Sequence, residues 1–303
     1  MGTSVGVQRQ RRVGLPGWSV PLVFIVSGVS LYAGAAIGVR LFDTVEPATV
    51  AWLRAAAAGV ALLIWRRPWR SRWTRRAVLV ASGFGVVTLG MNIAFYEAIA
   101  RIPLGTAVAI EFLGPIAVAA LGSRRARDLL AVALVAAGVF LLAGVSSEAG
   151  PGGVGFAVLA GVLWAGYILL GKRVADTGSG MDALAIGTTV SAIVLAPILV
   201  TRQCVLAPAV FADPRTWLLG VGVGVLSSAV PYALDQVVLR RVGRARFALL
   251  LALLPATAAV IGAVALAQRP GAAELAGIGL VMAALSISAG QRDPRVPATD
   301  SGA

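Results

Sequence analysis

Histidine is absent from the 303 residues, and there is one cysteine and one lysine. Without histidine the commonest proton shuttle and metal ligand is gone, which excludes zinc proteases and His-dependent catalytic triads. The sole cysteine, Cys204, excludes an intrachain disulfide and any multi-cysteine metal site. Charge is scarce too, at 13% of side chains, while 58% are hydrophobic and the mean hydropathy is +0.88. An ordinary soluble domain does not have that balance, so the chain is read as an integral membrane protein. The basic excess, 26 Lys and Arg against 13 Asp and Glu, is then a question of distribution across a bilayer and not a sign of nucleic-acid binding.

Apolar segments fall at 20–39, 47–65, 77–100, 103–121, 128–146, 153–171, 183–201, 216–239, 247–267 and 273–290. Ten spans at about 20 residues each consume roughly 200 positions and leave about eight residues per connection, too few for an extramembrane domain. In a bilayer, segments this apolar and this long are helices. The predicted fold is all-α, with ten transmembrane helices. Counting basic residues in alternate loops places 20 on the side of Arg9, Arg66, Arg124, Lys172, Arg240 and Arg292, and 5 on the other: Arg40, Arg101, Arg202, Arg215 and Arg269. By the positive-inside rule both termini are cytoplasmic. The first segment imitates a signal peptide, with Arg11 and Arg12 before an apolar run and Ala33-Gly34-Ala35 after it. The run continues to Val39 and has a counterpart later in the chain, so it is read as a span.

That counterpart belongs to an internal repeat. Phe24, Leu31-Tyr32-Ala33-Gly34 and Arg40 match Phe156, Leu163-Trp164-Ala165-Gly166 and Lys172 at an offset of 132. Arg101, Pro115 and Gly122 match Arg241, Pro255 and Gly262 at 140, and Asp128-Leu129 and Ala143-Gly144 match Glu274-Leu275 and Ala289-Gly290 at 146. Five spans per repeat is an odd number, so the second half is expected upside down relative to the first. The organisation is a cytoplasmic tail over 1–19, five-helix repeats over 20–146 and 147–290, and a second cytoplasmic tail over 291–303. Inverted repeats of this kind characterise secondary transporters, whose sites lie near the midplane between the halves.

Charge inside hydrocarbon is costly, so each intramembrane ion is a functional candidate. Four qualify: Arg54, Glu97, Glu111 and Asp235. Glu111 lies about eight residues into its span, roughly 12 Å deep at the helical rise. Gly114 and Pro115 follow, a pairing that frees backbone carbonyls and loosens the helix. Arg54 lies at comparable depth and is expected either to pair with Glu111 or to hold an anionic group. A zwitterion would use both, the cation for its carboxylate and the anion for its ammonium. Glu97 and Asp235 lie near span ends, at depths that suit gates, each with Arg in reach for an ion pair. Asn92 and Tyr96, one turn apart, offer neutral hydrogen bonds to a pocket or to another helix. Trp164, Tyr167 and Tyr32 suit a cavity lining or an interfacial anchor. Gly34 and Gly38 form a GxxxG, a close-packing motif. Gly152-Gly153-Val154-Gly155 lacks the Lys-Ser/Thr of a phosphate loop, so no nucleotide is expected to be hydrolysed, and neither cofactor nor metal is expected.

The sequence resembles the drug/metabolite transporter superfamily and its EamA domains. Gly90-Met91-Asn92-Ile93-Ala94-Phe95-Tyr96, with Ile102-Pro103-Leu104-Gly105-Thr106-Ala107-Val108-Ala109-Ile110-Glu111-Phe112-Leu113-Gly114-Pro115, is similar to the bacterial threonine/homoserine exporters. Leu226-Ser227-Ser228-Ala229-Val230-Pro231-Tyr232-Ala233-Leu234-Asp235 is similar to their eighth helix. The resemblance implies an inner-membrane exporter of small hydrophilic amino acids, driven by proton exchange. The chain departs from the pattern at Leu254-Pro255 and Ala267-Gln268, where many relatives carry Glu-Pro and Gly-Glu.

The expectation is a multi-pass carrier of the bacterial cytoplasmic membrane, not an enzyme, working by alternating access on a small zwitterionic substrate and protons. Substrate or coupling residues are expected to be Glu111, Arg54, Asn92, Tyr96, Trp164 and Tyr167. Gates or kinks are expected at Glu97, Asp235, Pro115, Pro231 and Pro255. With histidine absent, a coupled proton needs a carboxylate, and Glu111 is the candidate. The alternative is the same fold exporting drugs or other small metabolites. The assembly is expected to be a monomer or homodimer in the bilayer, without nucleic acid.

Overall fold

The computed structural model describes residues 19–71, 73–121, 126–145, 151–175, 180–231, 234 and 250–289. Asp235, with the whole Arg-rich stretch 235–249, and the two polar tails lie outside these. Every element among the described residues is helical: α1 Ser19–Leu41, α2 Pro47–Arg66, α3 Arg75–Ile99, α4 Leu104–Glu111, α5 Leu113–Leu121, α6 Ala126–Val145, α7 Pro151–Ala175, α8 Gly180–Leu206, α9 Pro214–Gly224, α10 Leu254–Leu266 and α11 Ala272–Ala289. A π-helical turn, Val225–Ala229, continues α9. Helices α1, α2, α3, α7 and α8 contain stretches of 20 to 26 residues long and apolar enough to cross a membrane, and four shorter apolar helices accompany them.

Local chemistry sets the ends. Pro47 and Pro214 open α2 and α9, where a missing N–H costs nothing. The Thr74 side chain caps α3 by accepting from Ala77 N at 3.2 Å, and Asp213 caps α9 by accepting from Arg215 N at 2.9 Å. Arg67 and Ala267 stop α2 and α10 by turning left-handed, with φ of 52° and 53°.

Pairwise contacts follow a regular pattern. Helix α2 packs on α8, the α4 segment on α10, and α6 on α11. Helix α1 packs against the π turn and α10, as α7 packs against α3 and the α4/α5 pair. Lipid supplies no hydrophobic drive between helices, so close approach of small residues has to supply the contact. At the α3/α8 crossing, a Cβ on Gly85 would overlap the Gly187 carbonyl. Large apolar side chains point outward instead, with Leu121, Phe140 and Val264 at least 80% exposed, as a lipid-facing surface requires. The main core centres on α4, whose residues from Leu104 to Ile110 are all buried.

Candidate functional site

Pro115 has no N–H for the carbonyl four residues back, which is that of Glu111. The helix is interrupted at Phe112, between α4 and α5. There Glu111 presents its backbone to Gly161 of α7, where an added Cβ would lie 2.8 Å from the Glu111 oxygen. Gly114 closes on the Gly161 carbonyl from the other side. Pro255 stands in the same relation to α10: two turn residues, Ala252 and Leu253, precede it. The two breaks are 140 positions apart, the spacing of the Pro115 and Pro255 match.

The Glu111 side chain is half-buried, and among the described residues it makes no hydrogen bond and no ion pair within 4.0 Å. Arg54 is the cation whose field reaches it, and Tyr32 lies within the fields of both. The direct Arg54–Glu111 contact that the sequence leaves open is therefore not formed here. Arg54, 9% exposed in mid-α2, instead donates from Nη2 to the Ser227 carbonyl at 2.9 Å and from Nε to Ser228 Oγ at 3.2 Å. Both acceptors lie in the π turn. Its hydrogen bonds run five residues back, as from Val230 N to Val225 O, and Pro231 removes the donor that Ser227 O would have in an α-helix. Helix α1 ties down the same turn: Ser30 Oγ donates to Leu226 O at 2.8 Å, Ser227 Oγ to Leu31 O at 2.9 Å, and Ser27 Oγ to Pro231 O at 3.5 Å.

Tyr96 is fully buried beneath Arg54, with the guanidinium carbon 5.9 Å from the ring centroid. Its hydroxyl is near Arg54 and Ser227 but has no well-formed hydrogen bond. The GxxxG of α1 makes room for this layer: a Cβ on Gly38 would come within 2.6 Å of Tyr96 Cε1, and one on Gly34 would collide with Ser227. Asn92 donates to Thr88 O at 2.8 Å and lines a small cavity with Arg54. That cavity, between α2, α3, α8 and the π turn, has a volume of about 20 Å³, room for roughly one water. An amino acid does not fit, so occupancy requires these elements to part.

Ser228 of the eighth-helix motif also lines this cavity, together with Thr88, Thr188 and Ser191, which carry no signal of their own in the sequence. Serine and threonine commonly bond their own helix, as Thr88 Oγ1 does to Phe84 O, which makes them ordinary in a sequence. Trp164 packs on Phe112, centroids 4.8 Å apart, beside the α4/α5 break. Tyr167 stacks on Phe84 at 4.8 Å in a separate apolar cluster with Leu62 and Leu184. Glu97 pairs with Arg101 at 2.6 Å, and Arg101 also lies over the Phe156 ring at 4.9 Å. At the same end of the bundle Arg202 pairs with Glu46 at 2.8 Å and also feels the charge of Glu97. Arg40 donates to Ala265 O at 3.0 Å. At the opposite end of α2, Arg66 pairs with Asp182 of α8 at 2.8 Å.

A further acid is buried without any signal of it in the sequence. Glu274, in the first turn of α11, is 6% exposed and accepts a hydrogen bond from Thr106 Oγ1 of α4. Among the described residues, no group of three or more Cys, Asp and Glu is arranged to hold a metal ion.

The sequence pattern described as the EamA-like transporter family matches residues 151–290. The chain is 34% identical over 296 residues to the threonine/homoserine exporter RhtA of Salmonella typhimurium strain LT2, covering 94% of this chain and 97% of that one. It is 34% identical over 278 residues to the protein of the same name in Escherichia coli strain K12, covering 89% and 91%. A solved crystal structure superposes with a TM-score of 0.56 at 19% identity, over 89% of this chain and 96% of that one. That likeness concerns the fold alone.

Proposed function

Because this chain belongs to the EamA-like transporter family, we propose that it exports small amino acids such as threonine and homoserine across the bacterial cytoplasmic membrane by proton-coupled alternating access. The observation that carries the reading is the placement of two opposite charges in one apolar bundle. Arg54 is a buried guanidinium held by a turn, and Glu111 is a half-buried carboxylate that neither accepts a hydrogen bond nor pairs with a cation among the described residues. A zwitterion brings a carboxylate for the first and an ammonium for the second. Asn92, Tyr96 and the hydroxyls around the cavity supply neutral partners, and Trp164 borders the Glu111 break. The names of the relatives favour threonine and homoserine within this class.

The proposed architecture is ten spans with both termini cytoplasmic, in two inverted five-helix repeats over 20–146 and 147–290. Supporting it are the proline breaks 140 residues apart and the pairing of α2 with α8, α4 with α10 and α6 with α11. Each pair joins equivalent spans of the two repeats. Glu97 with Arg101, and Asp235, are proposed as gate positions, and Pro115, Pro231 and Pro255 as the kinks about which the halves move.

The test is efflux of preloaded radiolabelled threonine and homoserine from proteoliposomes, with and without a pH gradient. Gradient-dependent efflux that Glu111→Gln abolishes supports the assignment. A Glu111→Gln protein that still exchanges protons for substrate removes Glu111 from coupling. Folded protein that moves neither amino acid discards the substrate class and directs the search to drugs and other metabolites.

A further inference from the structure

A carboxylate in the first turn of a helix ordinarily faces water, where the helix dipole favours it. Glu274 occupies such a position in α11, yet it is 6% exposed and turned onto α4. Its hydrogen-bond donor is Thr106 Oγ1, and no cation lies within 4.0 Å of it among the described residues. Two residues earlier on α4, Leu104 N donates to Gln268 Oε1 at 3.1 Å. The segment joining α10 to α11 and the first turn of α11 therefore hold the amino end of α4 at two points, and α4 is the helix that ends in Glu111.

We propose that Glu274 is a second proton-binding carboxylate of the transport cycle, with Thr106 as its hydroxyl partner. A hydroxyl suits both states of the acid. It donates to the carboxylate, and when a proton from water at this end of the bundle adds to Glu274, the new O–H donates to Thr106 Oγ1 in turn. Proton uptake cancels a buried charge and reverses the bond that ties α11 to α4. Release of the same proton restores both. Thr106 precedes Glu111 by five residues, roughly 7.5 Å along the helix, too far for direct transfer and close enough for one helix to report to both acids.

Among the described residues, the elements packed on the first turn of α11 bring few other titratable groups to it. On α4 the only titratable side chain is Glu111, and α5 and α10 carry none. Helix α6 carries Arg127 and Asp128 in its first turn, but it runs antiparallel to α11, with Gly138 against Gly277 and Val281 and Leu142 against Gly277, which puts that turn at the far end. Arg269 lies in the preceding loop.

This inference rests on the proton-coupled reading, and the experiment separates the two. In proteoliposomes, ΔpH-driven efflux is compared with threonine counterflow at equal pH for wild type, Glu274→Gln and Thr106→Val, with melting temperatures recorded. Infrared pH-difference spectra of the same proteins report the carboxylic C=O band. Glu274→Gln is expected to lose gradient-driven efflux at least tenfold more than counterflow and to lose one carboxylic band. Thr106→Val is expected to shift the pH at which that band appears. An unchanged band and an unchanged ratio of the two fluxes in folded Glu274→Gln overturn the proposal while leaving coupling intact. Equal loss of both fluxes with the band retained overturns it in favour of a structural tie. Wild type indifferent to ΔpH overturns both readings.

Discussion

Arg54 donates to the Ser227 carbonyl across 2.9 Å, and Ser227 is the residue whose α-helical donor Pro231 has removed. One proline in the eighth span thus creates an acceptor, and one arginine in the second span fills it. Among the described residues, the arrangement keeps a cation within an apolar bundle without a carboxylate pressed against it, and leaves its charge available to a substrate anion that would compete for the same N–H groups.

Arg54→Lys keeps the charge and loses the fork that reaches Ser227 and Ser228 together. Charge-assisted hydrogen bonds contribute about 1.5–3 kcal/mol each, so carboxylate-bearing amino acids are expected to bind roughly 10- to 100-fold more weakly. An amine of the same size without a carboxylate should be affected far less. Equilibrium binding to purified protein checks this. Equal weakening of acid and amine would make Arg54 a holder of the turn and nothing more.

What the sequence reveals and conceals follows from contrast. Arg54 and Glu111 stand out because they interrupt long apolar runs, and Pro115 and Pro255 because a proline inside a span removes a backbone hydrogen bond, although Pro197 lies within an unbroken α8. The π turn has no such signature, since Leu226-Ser227-Ser228-Ala229 suits an α-helix equally well. Ser191 and Thr188 are invisible for the reason that Ser and Thr are tolerated anywhere in a membrane helix. Glu274 was masked by position: an acid in the first turn looks like a solvated dipole partner until its burial is seen. Glu97 is the converse, conspicuous in sequence and joined to Arg101 one turn on.

Pro115→Ala returns an N–H to the Glu111 carbonyl and favours a continuous α4/α5 helix. An interior proline costs an isolated helix about 3 kcal/mol, so the variant is expected to melt at or above the wild-type temperature. Transport should nonetheless fall several-fold if the loosened backbone beside Gly161 is, as proposed, where the bundle yields. A variant that melts lower and transports normally would remove the break from the mechanism.

The Tyr96 hydroxyl is buried near Arg54 and Ser227 without a well-formed hydrogen bond among the described residues, and Gly38 leaves just enough room for its ring. Tyr96→Phe should therefore be neutral or stabilising, since an unsatisfied buried polar group is removed. Gly38→Ala should destabilise by roughly 1–3 kcal/mol through overpacking. If the hydroxyl is kept for substrate, Tyr96→Phe will still weaken amino-acid binding by about fivefold, the worth of one hydrogen bond near 1 kcal/mol. Thermal melts and binding isotherms on the two variants separate packing from recognition.

Gln203, 1% exposed, fastens the end of α8 to the α1–α2 connection: its Oε1 accepts from Glu46 N at 2.9 Å and its Nε2 donates to Thr44 O at 3.4 Å. Cys204, the only cysteine in the chain, is the next residue and is half-buried. Its thiol reports any loosening of this clasp without an engineered background. Gln203→Ala leaves the Glu46 N–H without its acceptor, and losing about 1 kcal/mol from the closed form should speed labelling of Cys204 by a thiol reagent roughly fivefold. Saturating substrate should change the wild-type rate in the same assay if this end of the bundle opens during the cycle. An unaltered rate in the variant would mean that the clasp does not hold the end shut, and the Arg202–Glu46 pair would then be the contact to remove next.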